Sequence, residues 1–353
     1  MSGSWRQKLA DDRVVVIDGG TGSELRRRGF RLSGQAWSGL AAASHAHLLR
    51  ELHADFIRAG ADVITANTFG TARFVLESAG RGSEFRAINE RAVAAALQAR
   101  DATGADVAVA GSISCLPPGM NTAAYPDPDT EGRAYRELAE LLAEQGVDLL
   151  VLEMMQDDEH AGRACEAAAS VGLPWWLGLS CRFGGDGRSV VGFDYPDTPI
   201  DVPLRALRRY EPAVINVMHT PPPAVAAALA EISSHWDGPT GAYPVLDEDE
   251  PDAGDKPGMA HEPDARHKPG AGDEPGMACE PDARHKPGAG DEPGAVQPSP
   301  VLSPGALARL AAQWADSGAL VLGGCCGATP DHIRALSDVA LKHGNSSPPQ
   351  ERR

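Results

Sequence analysis

The sequence has no long apolar run. No uninterrupted stretch approaches the roughly 18 residues needed to cross a bilayer, so a membrane-spanning protein is not expected. The opening MSGSWRQKLADDR has neither an apolar core segment nor a cleavage signature, and no secretory signal is visible. Basic residues are in deficit: 32 Lys and Arg stand against 49 Asp and Glu, for a formal charge of −17. That balance, with a pI near 5.0, argues against a nucleic-acid backbone or an anionic membrane surface as partner. Cysteine is also sparse. Six in 353 residues do not make a disulfide framework and read better as thiols in a reducing compartment, some of them metal ligands or catalytic groups. A cytoplasmic location is expected. Neither a Rossmann fingerprint nor a P-loop occurs; Gly19–Gly22 (GGTG) has neither the spacing nor the lysine of a phosphate loop.

The 42% of hydrophobic residues are enough for a substantial core. One segment departs from that composition. From Val245 to Pro300 the chain is built mainly of Pro, Gly, Ala, Asp, Glu and His, with 14 acidic against 5 basic residues. An 18-residue unit recurs within it, DKPGMAHEPDARHKPGAG from Asp255 and DEPGMACEPDARHKPGAG from Asp273, with a truncated copy from Asp291. Too little apolar surface is available there to offset the entropy of ordering, so residues 245–300 are expected to be a disordered, low-complexity insert. Its His261, His267, Cys279 and His285 read as incidental to a tandem expansion of a surface loop.

Outside the insert, short β-branched runs alternate with helical patterns. Strands are expected at 14–18, 62–67, 106–112, 148–153, 175–180, 213–218, 238–243 and 319–324, with amphipathic helices at 41–59, 84–102, 131–145 and 221–233 among them. Near-continuous apolar strands alternating with helices indicate a parallel sheet covered on its outer face. Eight such units in about 300 residues fit a closed (β/α)8 TIM barrel, with the insert following strand seven. The expected organisation is one barrel formed by residues 1–244 and 301–342, the insert 245–300, and a flexible tail 343–353. Barrels of this class carry their chemistry at the C-terminal strand ends. The residues there are Asp18, Asn67, Ser112, Glu153, Ser180, His219, Tyr243 and the adjacent Cys325 and Cys326.

GGCCGATPDHI, Gly323 to Ile333, is the strongest local signal. Adjacent cysteines strain a mutual disulfide, whereas two neighbouring thiolates can share one metal if the backbone turns, and the flanking glycines allow that turn. Thr329-Pro330 reads as a helix start. The pair lacks Cys-x-x-Cys spacing, which weakens a redox reading. Zinc would require further Cys or His ligands and, for catalysis, an open position.

These motifs, in order, resemble the homocysteine S-methyltransferase family. The blocks are IDGGTGSELRRRG (17–29), AWS (36–38), ADVITANTFGT (61–71), AGSISCLPPG (110–119), LLVLEMM (149–155), GAYP (241–244) and GGCCG (323–327). The resemblance implies a (β/α)8 barrel and zinc-dependent methylation of a small thiol, homocysteine to methionine, by a small methyl donor. It matches Cys325 and Cys326 to paired zinc thiolates. It places Asp18 and Glu153 at acidic positions holding the substrate amino group, a charge-assisted contact open to any carboxylate at a strand end. Asn67 and Ser112 would contact substrate or order the rim. Two positions depart from the family pattern. Val217 stands where the family has its third cysteine ligand, and Val245 stands in place of an asparagine. His219, two residues beyond Val217, is expected to complete a two-thiolate, one-imidazole zinc site. Other readings remain open: a different thiol acceptor or donor, or a metal- or metabolite-binding barrel without catalysis. Self-association into a homo-oligomer is compatible with all of them.

Overall fold

The computed structural model describes residues 4–246 and 302–346; the repeats, and with them most of the expected insert, lie outside the described residues. Among the described residues nine strands are formed: β1 (Val15–Val16), β2 (Val63–Ala66), β3 (Ala108–Ser114), β4 (Leu149–Met155), β5 (Trp175–Phe183), β6 (Val190–Gly192), β7 (Val214–Met218), β8 (Thr240–Tyr243) and β9 (Ala319–Leu322). All but β6 run parallel in the order β1-β9-β8-β7-β5-β4-β3-β2. The Ile17–Val63 bridge joins the two ends, helped by the Asp18 amide donating to Val63 O at 3.0 Å and the Asp62 amide to Val16 O at 2.7 Å. This is the (β/α)8 barrel expected from the eight apolar runs.

Strand alternation divides the apolar residues into two layers. Val15, Ile17, Val63, Ala108, Ala110, Leu149, Val151, Trp176, Val214, Met218 and Val321 fill the barrel. Val16, Ile64, Val109, Leu150, Leu152, Leu177, Ile215 and Val217 face outward, in the core shared with the helices. Both faces are buried, which is why these runs read as continuously apolar. The helix Phe85–Thr103 shows the complementary pattern. It buries Ile88, Ala92, Val93, Ala95, Ala96 and Ala99 along one stripe and ends at Gly104, whose φ of 64° is the left-handed C-terminal geometry glycine tolerates.

Three features depart from the expected map. The helix foreseen at 41–59 breaks at His45 into Ala41–Ser44 and Ala46–Arg58, because His45 takes a non-helical φ of −131°. β6 folds back antiparallel on the extended end of β5, pairing Gly192 with Cys181. Val245 and Leu246 belong to the barrel, with the Val245 amide bonded to Thr220 O and the Leu246 amide to Cys326 O; likewise the last helix, Pro330–Ser346, runs past residue 342.

The floor of the barrel was not anticipated from the polar N-terminus. A short helix, Ser4–Ala10, lays Trp5 across it, 2% exposed and edge-on to Trp176 with ring centroids 5.4 Å apart. Lys8 anchors the helix to Asp62 at 2.6 Å. Trp5→Ala is expected to destabilise the fold by about 3–5 kcal/mol, through lost burial and a residual cavity. Denaturant unfolding followed by far-ultraviolet circular dichroism measures this; a loss under about 1 kcal/mol would mean the helix is not part of the core.

Candidate active site at the barrel mouth

At the end of β7 the chain turns sharply. His219 has a φ of +46°, uncommon for a residue with a side chain. Val217 faces the outer core, so strict alternation would carry residue 219 outward too; the left-handed turn instead brings its imidazole over the mouth. Its amide donates to Tyr243 O at 3.1 Å, and the Phe193 ring packs edge-on at 4.9 Å. A non-glycine residue held in this region stores strain that the surroundings must sustain, a pattern associated with functional sites.

The Cys325–Cys326 loop is pinned through its backbone. The Cys325 amide donates to Pro244 O at 2.8 Å, Cys326 O accepts from the Leu246 amide at 2.8 Å, and the Gly327 amide donates to Ser23 Oγ at 3.0 Å. Gly327 has a φ of +83°, the turn for which a flanking glycine was expected. The helix that follows starts at Pro330, as foreseen. There Thr329 pairs with His332 Nδ1 at 2.9 Å through its hydroxyl, and the other ring nitrogen of His332 reaches Leu302 O at 2.7 Å.

The two loops bring His219, Cys325 and Cys326 together, with ligand atoms all within 4.8 Å of one another. Cys325 Sγ lies 3.9 Å from Cys326 Sγ and 3.4 Å from His219 Nδ1. A tetrahedral zinc with bonds of about 2.3 Å to sulfur and 2.0–2.1 Å to nitrogen separates its ligands by roughly 3.8 Å and 3.6 Å respectively. The protein's own spacings agree to a few tenths of an ångström, so this donor set could hold such a metal. The electrostatics point the same way. Contact with Cys326 and burial push the Cys325 thiol well above its ordinary value, so two thiolates side by side call for a cation between them. For His219, burial disfavours the imidazolium, but contact with Cys326 and nearby negative charge outweigh it and leave the pKa raised.

Deeper in the mouth lie two carboxyl groups. Asp18, 4% exposed, accepts from the Thr65 amide at 2.8 Å and the Thr65 hydroxyl at 3.0 Å. Burial pushes its pKa up to about 8, against the pull of those two bonds. Glu153 accepts a short hydrogen bond from Ser112 Oγ, and burial raises it to about 7. Ser112 is tied in turn to Thr68, whose hydroxyl accepts from the Ser112 amide at 3.0 Å and donates to Ser112 O at 2.8 Å. Asn67 is differently placed: its Oδ1 accepts from Ser38 Oγ at 2.7 Å and its Nδ2 donates to Ser38 O at 2.8 Å. Both ends of its amide hold the 36–38 rim segment.

The structure thus gathers Asp18, Glu153, Ser112, His219, Cys325 and Cys326 at one mouth, with Asn67 in its rim. Thr65 and Phe193 had escaped notice. Thr65 could have been found by alternation, since it follows the inward-facing Val63 by two on β2; Phe193 could not, because only the fold of β6 onto β5 brings it there.

Fold and constellation together define a (β/α)8 barrel with a thiol–imidazole set and paired carboxyls at its C-terminal mouth, where such barrels carry their chemistry. The family model of homocysteine S-methyltransferase matches residues 15–340, and the chain belongs to that family of methyltransferases. Betaine–homocysteine S-methyltransferase 1 of Bos taurus is 26% identical over 339 residues, 94% of this chain and 73% of that protein. The S-methylmethionine–homocysteine S-methyltransferase BHMT2 of Rattus norvegicus is 33% identical over 171 residues, 48% of this chain and 43% of that protein. The Danio rerio relative, a betaine–homocysteine S-methyltransferase 1, is matched over 45% of its length, so the chain spans about half of these last two proteins. The metallated form of the homocysteine methyltransferase MmuM from Escherichia coli shares the fold, with a TM-score of 0.67 at 20% identity over 94% of this chain and 98% of that one. Among the described residues no helix is long and apolar enough to cross a membrane.

Proposed function

We propose that this barrel transfers a methyl group from a small donor to the thiol of homocysteine, giving methionine, with zinc held by Cys325, Cys326 and His219. The observation that carries the reading is the convergence of two thiols and an imidazole at tetrahedral spacing above Asp18 and Glu153. Zinc bound there would act as a Lewis acid favouring the thiolate of the substrate at neutral pH, where a free thiol of pKa about 8.5 is mostly protonated. Asp18 and Glu153 receive the substrate ammonium and give up the protons that burial makes them keep. Ser112 and Thr65 fix the directions of these carboxyls, so that sulfur and methyl group can approach in line. Asn67 contributes by holding the rim segment at Ser38. The names of the related enzymes, which specify betaine or S-methylmethionine as donor, support a small cationic donor for this chain too.

His219→Ala tests the ligand set. Zinc affinity is expected to fall by at least about a hundred-fold, more than the loss of a group that only orients a ligand, and methionine formation with it, while the circular dichroism spectrum stays unchanged. Metal analysis after dialysis against a chelator, paired with a homocysteine methylation assay, reads both. Full zinc stoichiometry with undiminished turnover in the variant would remove His219 from the site.

A further inference from the structure

His219 is held in two separate ways. Its backbone is fixed by the barrel: the amide donates to Tyr243 O on β8, and the next residue, Thr220, accepts at Oγ1 from the Cys181 amide of β5 at 3.1 Å and donates to Met218 O at 3.0 Å. The left-handed φ of +46° is thereby sustained from both sides. None of these bonds sets the direction of the imidazole. That ring meets Cys325 Sγ through Nδ1 at 3.4 Å and the Phe193 ring at 4.9 Å, with the two ring planes 61° apart. Phe193 is the aromatic wall against which the imidazole rests.

Phe193 stands outside the barrel strands. It follows β6, the strand folded back on the end of β5, so its position depends on what ties that loop down. Its amide donates to Ser180 O at 3.2 Å and its carbonyl accepts from Arg182 Nε at 2.7 Å, both on β5. Residue 156 supplies a tie to a different strand. Gln156, 5% exposed just beyond β4, donates from Nε2 to Asp194 Oδ2 at 2.7 Å and accepts at Oε1 from the Asp194 amide at 2.5 Å. Both ends of one amide thus grip the residue next to Phe193. The loop also lies close over this segment: a Cβ at Gly192 would come within 3.3 Å of Gln156 O. A buried glutamine must satisfy both ends of its amide, and here one loop residue satisfies both, so the two positions are fixed together.

We propose that Gln156 is a positioning residue for the metal site: by gripping Asp194 it holds Phe193 against His219, and so keeps the imidazole directed at Cys325 and Cys326. This rests on the reading of His219 as a zinc ligand. The support runs across three neighbouring strands, with Gln156 from β4, Phe193 from the hairpin on β5 and His219 from β7. A ring already directed loses less freedom on binding than one captured from many rotamers. Groups that orient a metal ligand in this way are worth about 10–100-fold in affinity.

The zinc affinity of the full chain, measured by competition with a chromophoric chelator, tests this independently of turnover. Gln156→Ala is expected to weaken zinc by about ten-fold in the wild-type background. In a His219→Ala background, where no imidazole is left to direct, the same change should cost less than about two-fold. Gln156→Glu keeps the shape but sets two carboxylates face to face, and should weaken zinc by a similar factor to Gln156→Ala. Adding Asp194→Asn lets the pair exchange donor and acceptor, and should return affinity to within about two-fold of wild type. Undiminished affinity in Gln156→Ala and Gln156→Glu, equal losses with and without His219, or an exchanged pair that fails to recover each overturns the positioning role. In those cases a loss of zinc in His219→Ala itself leaves the ligand set standing. Undiminished zinc in His219→Ala overturns the ligand set, and the positioning role with it.

Discussion

Cys326→Ala yields a folded protein that holds zinc at least about a hundred-fold more weakly than wild type and makes no measurable methionine. The magnitude follows from comparison: groups that only orient a metal ligand are worth about 10–100-fold in affinity, so the loss of a ligand itself must exceed that range. The fold survives because the backbone holds the loop, through the Cys325 amide on Pro244 O and the Leu246 amide on Cys326 O, and neither bond needs the thiol. A second readout separates loss of a ligand from general damage. In the metal-free protein the largest cause raising the Cys325 thiol is its contact with Cys326. With Cys326 gone, Cys325 should ionise at lower pH and alkylate faster than in metal-free wild type. A variant that keeps stoichiometric zinc after chelator dialysis would show that the metal, if bound, is bound elsewhere.

Asp18→Asn is expected to move stability and binding in opposite directions. The carboxyl has a pKa of about 8 in the folded protein against an ordinary value of 3.8. Between those values the unfolded chain has lost the proton and the folded chain keeps it, so stability falls as pH rises through the window. Each unit of difference is worth about 1.4 kcal/mol. Asparagine carries no such penalty, and its amide can still accept from the Thr65 amide and donate to the Thr65 hydroxyl. The variant should therefore melt several degrees above wild type at pH 8, with the gap closing toward pH 4. Homocysteine affinity should drop at the same time, because a neutral amide is a poor partner for an ammonium. In wild type, binding requires Asp18 and Glu153 to ionise, so affinity should climb from pH 6 to pH 8 with protons released to the buffer. Thermal melts across pH, with calorimetry in buffers of different ionisation enthalpy, test both halves. Equal melting temperatures at pH 8 together with unchanged affinity would show that Asp18 neither carries the buried proton nor meets the substrate.

Much of this protein is legible in its sequence because the barrel's physics is local. A parallel strand buried on both faces must be apolar along its length, so most barrel strands can be read from runs such as LLVLE and ALVLGG, the Gly- and Pro-containing GPTGAY being the weakest. The order of strand-end residues then follows from topology alone, since every strand of a (β/α)8 barrel delivers its C-terminal end to one mouth. Boundaries were less legible. The break at His45 and the helical opening Ser4–Ala10 depend on what packs against them, and Trp5 becomes a core residue only when Trp176 lies above it.

Cys325 and Cys326, with the glycines that let their loop turn, were determined by the sequence by itself, because adjacency and backbone freedom are properties of consecutive residues. Which group stands beside them was a tertiary decision. Val217 is turned outward by strand alternation, and only the left-handed turn at His219 carries an imidazole across to the thiols, from a residue 106 positions away.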